Sequence, residues 1–119
     1  MKSRAPLAFV LSAVLAAAVW GLSIFLTGKN EPWDAEGPYY LVALAIAGAI
    51  SGAAVPKHPV VHYVGAVVGQ MAYELVVLKV GPLFVLGLAF LAAYSIIFLI
   101  AMAVAASLRK RMSRAANVV

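Results

Sequence analysis

Val60-Val61-His62-Tyr63-Val64-Gly65-Ala66-Val67-Val68-Gly69-Gln70-Met71-Ala72-Tyr73-Glu74-Leu75-Val76-Val77-Leu78-Lys79-Val80 is the stretch on which the reading of this chain turns. It is long and apolar enough for a membrane-spanning helix, which needs about 20 residues, yet it holds one carboxylate, Glu74, with Gln70 and Tyr73 just before it. A carboxylate at the centre of such a helix costs roughly 2.5–3.5 kcal/mol on insertion scales, so it marks a functional position by default. Projected at about 100° per residue, His62, Gly65, Ala66, Gly69, Gln70, Tyr73 and Glu74 share one broad side. Val64, Val67, Val68, Met71, Leu75 and Leu78 fill the other, so one side is small and polar and the other lipid-like.

Outward from this stretch the composition stays in the same class. The chain has 119 residues, of which 66% are hydrophobic and 11% charged, and its mean hydropathy is +1.04. Soluble domains carry about a quarter charged residues. Four apolar runs, 6–27, 38–55, 59–80 and 82–108, predict an all-α bundle of four transmembrane helices with short loops, followed by a short basic cytoplasmic C-terminal tail at 109–119. Together they form a single integral membrane domain over 1–119, with no room for a separate soluble catalytic domain. Each run opens with a proline (Pro6, Pro38, Pro59, Pro82), a residue suited to the first helical turn because its missing N–H has no partner to lose there. The last run is long enough to tilt or to continue into water near Ser107.

Charge asymmetry sets the expected orientation. Lys2, Arg4, Lys57, Arg109, Lys110, Arg111 and Arg114 fall on one side and Lys29 and Lys79 on the other, which places both termini in the cytoplasm of a bacterial-type inner membrane. The first loop, with Glu31, Trp33, Asp34 and Glu36, then faces outward, with Tyr39 and Tyr40 at the aromatic belt. A cleaved signal peptide is the rival reading of the first run, but the apolar stretch exceeds the usual core of about 7–15 residues, which favours a retained helix. An alignment of Gly37-Pro38 on Gly81-Pro82 also superimposes Leu44 on Leu88, Ala49 on Ala93 and Ser51 on Ser95. That match raises two helical hairpins related by a twofold axis along the membrane normal. Chance similarity between Ala- and Leu-rich helices competes with it.

Depth counting suggests partners for Glu74. Trp20 and Ser23 of the first helix reach a similar outer level, and an indole N–H and a hydroxyl both donate to a carboxylate. Gln70 lies deeper, near Ser51, Tyr94 and Ser95. Three readings of Glu74 stand side by side: a coupling or selectivity residue, a buried structural hydrogen-bonding group, and a side chain that snorkels outward toward Lys79. Gly48 and Gly52, and Gly65 and Gly69, form two GxxxG steps that let helices pack closely, within one chain or between chains.

Other motifs are weaker. His58 and His62 stand four apart, but no Cys, Asp or Glu lies near them in sequence, so polar anchoring at the cytoplasmic interface is the expected role and no metal is assigned. Arg109, Lys110, Arg111 and Arg114 read as a stop-transfer signal and lipid-headgroup contact. That run is short and has no interleaved aromatics, so no nucleic-acid partner is expected. The chain contains no cysteine, no glycine-rich phosphate loop and no Ser/His/acid set with an obvious geometry, and so predicts neither an enzyme nor a cofactor. The four-helix layout is similar to that of the small multidrug transporters, but their carboxylate stands in the first helix, where this chain has none, so no residue is carried over. Two functions are expected in its place. One is a homo-oligomeric transport or permeation module for cations or protonated small solutes, with Glu74 as coupling or selectivity residue. The other is a non-catalytic accessory or assembly subunit of a larger membrane complex, docking through its Gly/Ala-rich helix faces. Under both, the partners are the lipid bilayer and further protein subunits.

Overall fold

The structure is a computed structural model that describes residues 4–29, 37–77 and 84–118. These form four α-helices and, among the described residues, no strand: α1 (Ala5–Thr27), α2 (Tyr39–Ala54), α3 (Pro59–Val76) and α4 (Phe84–Val118). Two of them, α1 and the stretch Val85–Arg114 of α4, are long and apolar enough to cross a membrane; α2, with 16 residues, is shorter.

Helix boundaries differ from the sequence reading in three places. Pro38 is the N-cap of α2, just outside the first turn. α3 stops at Val76 with Val77 as its C-cap, while Lys79, Pro82 and the acidic residues of the first loop lie outside the described residues. α4 does not end at a tail beginning with Arg109 but continues to Val118. Arg109–Ala116 contains strong helix formers and no Gly or Pro, so nothing in it ends the helix.

Packing follows the glycines. A Cβ on Gly65 would meet the Phe9 carbonyl oxygen at 2.7 Å, and one on Gly69 would run into the Ala13 carbonyl, which seats α3 directly against the backbone of α1. In the same way a Cβ on Gly48 would run into the Phe98 carbonyl and one on Gly52 into the Met102 carbonyl, which seats α2 against α4. In both pairs the numbering ascends together along the contact, so each tight pair is parallel. The antiparallel neighbours, α1 with α2 and α3 with α4, pack more loosely, and α1 and α4 lie across the bundle from each other. Each antiparallel seam is bridged by a tyrosine hydroxyl that donates to a mid-helix carbonyl: Tyr39 to Val19 at 2.5 Å and Tyr63 to Ala92 at 2.6 Å.

This arrangement contradicts the twofold along the bundle axis. Under the Gly-Pro alignment Gly48 belongs level with Ala92, but it sits against Phe98, six residues or about 9 Å farther along. The relation that the four glycines do obey exchanges α2 with α3 and α1 with α4. Helix directions reverse under that exchange, so its axis is perpendicular to the bundle, and chain order reverses too, which a tandem duplication does not produce.

Several polar side chains are buried among the apolar core, and many large apolar side chains face outward. Ser12, Ser51, His62, Gln70 and Ser95 are fully buried, whereas Val10, Leu22, Phe25, Ile46, Ile100 and Val104 face outward. Between the buried polar groups lies an apolar layer that includes Ala16, Leu44, Ala66 and Phe98.

The glycine contacts predict a contrast. Gly52→Ala and Gly69→Ala force a backbone to move and are expected to destabilise the fold by about 1–3 kcal/mol. Gly21→Ala meets nothing nearer than Tyr73 at 3.7 Å and is expected to be neutral or stabilising by up to about 1 kcal/mol from helix propensity. Thermal unfolding of the three variants in mild detergent measures the difference.

Candidate functional site

α3 carries the site because its helical period gathers its polar residues on one side. The buried residues of α3 are His62, Gly65, Ala66, Gly69, Gln70 and Glu74, with Tyr73 half-buried at their edge. That side faces into the bundle, where it builds two hydrogen-bonded layers.

The deeper of the two centres on Gln70, which bonds to all three other helices. Its Oε1 accepts from the indole N–H of Trp20 on α1 at 2.8 Å and from the hydroxyl of Tyr40 on α2 at 2.5 Å. Its Nε2 donates to Ser95 on α4 at 2.8 Å and to the Ala66 carbonyl of its own helix at 3.1 Å. Trp20 can only donate through its ring nitrogen, so the amide orientation is fixed by its partners, and all four hydrogen-bonding positions of the side chain are occupied. Trp20 and Tyr40 meet edge-on, centroids 6.2 Å apart, and Tyr94 tilts against Tyr40 at 5.0 Å.

Toward the end of the bundle that carries the basic residues, a second layer centres on His62. Its Nε2 lies 2.8 Å from the Val55 carbonyl, which can only accept, so this nitrogen bears the proton. In the neutral ring Nδ1 is then an acceptor, and it lies 2.8 Å from the Ser12 hydroxyl and 2.6 Å from that of Ser51. The two hydroxyls are themselves 2.9 Å apart. His62 is therefore not an interfacial anchor: it is fully buried and ties α1, α2 and the α2–α3 connection together. The chain makes that connection with His58 in the left-handed region, φ 64°.

The sequence-predicted residues divide between these layers and their surroundings. Trp20, Gln70 and Ser95 converge, joined by Tyr40, which is buried in the bundle. Ser51 is not at the Gln70 level; it belongs to the His62 layer. Ser23 turns to the C-terminal cap of α1, donating to the Lys29 carbonyl at 2.6 Å, with Thr27 beside it. Glu74 is 7% exposed, one turn beyond Gln70 on the same interior side, and its carboxyl lies within electrostatic range of the Tyr40 hydroxyl. It does not snorkel outward. Tyr73 packs beside Trp20, centroids 6.4 Å apart.

Gly48, Gly52, Gly65 and Gly69 are occupied within the chain and present no face to another subunit. Arg109 also departs from the sequence reading. Its Nη1 donates to the carbonyls of Ala53 at 2.5 Å and Ala54 at 2.8 Å, the last turn of α2. Those carbonyls have no partner in their own helix and form the negative end of its dipole, which a guanidinium satisfies on both counts. Lys110, Arg111 and Arg114 are exposed. Sequence reasoning gave no role to Ser12 or to the cap made by Arg109; the only available signals were a lone hydroxyl in an apolar run and an arginine at its end.

No protein-family model matches the chain, and neither the curated proteins nor the solved structures yield a match.

Removing the Gln70 node takes away the amide oxygen to which Trp20 and Tyr40 both donate. Gln70→Leu is expected to destabilise the fold by about 2–4 kcal/mol, and Ser95→Ala, which removes one bond, by about 0.5–1.5 kcal/mol. Arg109→Gln is expected to cost about 0.3–1 kcal/mol. Unfolding midpoints in mild detergent rank the three.

Proposed function

We propose that the chain is an integral membrane protein whose four helices all lie in the bilayer, with the basic end in the cytoplasm. The distribution of side chains supports this reading. Large apolar residues face outward along every helix, while serine, histidine, glutamine and glutamate are inside, which suits a solvent of hydrocarbon. α2 alone is too short for a hydrocarbon layer of about 30 Å, at roughly 24 Å for 16 residues. Val55, whose N–H bonds to the Ser51 carbonyl, and the Arg109 guanidinium on the Ala53 and Ala54 carbonyls extend its satisfied length at one end.

Within that setting we propose a transport or permeation module for cations or protonated small solutes, with Glu74 as the coupling or selectivity residue. The observation that carries it is the placement of Glu74, an ionisable group in an apolar helix that turns into the bundle. Such groups are costly and mark ion or proton pathways. The apolar layer of Leu44, Ala66 and Phe98 closes the axis below the Gln70 node, so passage requires that layer to open or a route between protomers.

A second reading, the accessory or assembly subunit, is favoured by the Gln70 node itself. A side chain with every hydrogen-bonding position filled holds a bundle together and has nothing left for a solute. Under this reading docking uses the apolar outer faces, because the glycine faces are already occupied.

The bilayer placement predicts that the protein stays in the membrane fraction after alkaline carbonate extraction. For transport, purified protein in liposomes is expected to carry a cation or proton flux that Glu74→Gln reduces to background. Equal flux from the variant removes Glu74 from the mechanism. Native mass measurement separates the two functions, since a repeated single mass accords with the module and a mixed complex with the subunit.

A further inference from the structure

Two basic side chains converge on one helix end. The last carbonyls of α2 are held by the Arg109 guanidinium at Ala53 and Ala54 and, one residue on, by the Nε2–H of His62 at Val55, 2.8 Å away. Arg109 is charged at every ordinary pH. His62 is of the one side-chain type that gains or loses its charge within that range.

The hydrogens around the other ring nitrogen fall one short. Nδ1 and the hydroxyls of Ser12 and Ser51 form a triangle with sides of 2.8, 2.6 and 2.9 Å, each a hydrogen-bond length. With His62 neutral the triangle holds two hydrogens, one on each serine, so one side always joins two lone pairs. Every donor is satisfied, yet two oxygens crowd a nitrogen that accepts through a single lone pair. A proton on Nδ1 removes the conflict. The N–H is then shared between the two oxygens, one hydroxyl donates to the other, and the remaining one turns back to a carbonyl of its own helix one turn earlier.

The negative end of the α2 dipole favours an imidazolium at this place, and full burial of the ring opposes it. Lys57 and His58 of the α2–α3 connection act on His62, Arg109 reaches the same helix end from α4, and Arg4 is the N-cap of α1. The helical parts of α1 and α2 bring no ionisable group to this end. Glu74, the one carboxylate among the described residues, lies about 18 Å farther along α3. A charge on His62 therefore meets carbonyls, hydroxyls and other cations.

We propose that Ser12, Ser51 and His62 form a proton-binding site, and that a proton taken up there from water or a buffer acid loosens the hold of Arg109 on the end of α2. Two cations on one helix terminus weaken each other by the same factor. His62 lies three residues inside the start of α3, about 4.5 Å along its axis, so opening the α2–α3 connection is enough to admit the proton. The site reads the acidity at the basic end of the bundle. It depends neither on Glu74 nor on the bilayer placement.

Ring-nitrogen NMR of histidine-labelled protein in mild detergent tests the site. The chain has two histidines, and His58→Asn, a residue that accepts the left-handed φ of 64°, leaves His62 as the single imidazole signal. Nε2 is expected to keep its hydrogen throughout, while Nδ1 changes from bare to protonated between about pH 8 and 5. Ser51→Ala, which removes one oxygen from the shared N–H, is expected to lower the proton affinity about tenfold, the size of one hydrogen bond to a charged group. Ser12→Ala is expected to do the same and serves if Ser51→Ala does not fold. Arg109→Gln is expected to raise the affinity about threefold, because a competing cation is gone. A purely structural hydrogen-bonding role gives no such pair of opposite shifts. The proposal is overturned by a ring that stays neutral to about pH 5, by serine variants that bind the proton as well as the wild type, or by an Arg109→Gln variant that binds it no better. Loss of helix by circular dichroism before Nδ1 is protonated overturns it as well.

Discussion

Four glycines set against four backbone carbonyls hold the rest of this structure in place. Gly65 and Gly69 bring α3 onto α1, and Gly48 and Gly52 bring α2 onto α4, at distances that leave no room for a methyl group. Without that approach the Gln70 amide could not reach Trp20, Tyr40 and Ser95 together. Nor could the Ser12 and Ser51 hydroxyls converge on His62. Close backbone contact is an effective glue where both the surroundings and the side chains are apolar, because burial of apolar surface then drives nothing.

Polar chemistry in this bundle is layered. The His62 and Gln70 layers are each internally satisfied, which keeps buried donors and acceptors from costing about 1–3 kcal/mol apiece, and the apolar layer with Leu44, Ala66 and Phe98 separates them. Glu74 stands beyond the second layer, toward the end of the bundle that carries Lys29.

The inward side of α3 was legible in sequence because a helical period needs only local information, and one period grouped His62 through Glu74 correctly. Which helix those residues would face was not legible. Ser51 and Ser95 occupy matching positions after two Gly-Pro steps, yet one bonds to His62 and the other to Gln70. Register between helices is set by where the glycines seat, and no single strand of sequence encodes that. His62 was misplaced for a similar reason: counted from Pro59 it is one turn inside an end, but the partners that bury it come from α1 and α2. Arg109 sits in a run of basic residues that charge alone explains, and its role depends on two carbonyls more than 50 residues away.

That last contact bears on the order of assembly. The tight pairs are not neighbours in the chain, since α1 waits for α3 and α2 for α4. The last carbonyls of α2 stay without their guanidinium until α4 has been made as far as Arg109. A fold of this kind cannot be completed hairpin by hairpin as helices emerge, and loop closure over such separations slows the search. The early helices must persist side by side, incompletely paired, until α4 arrives and Arg109 closes the end of α2.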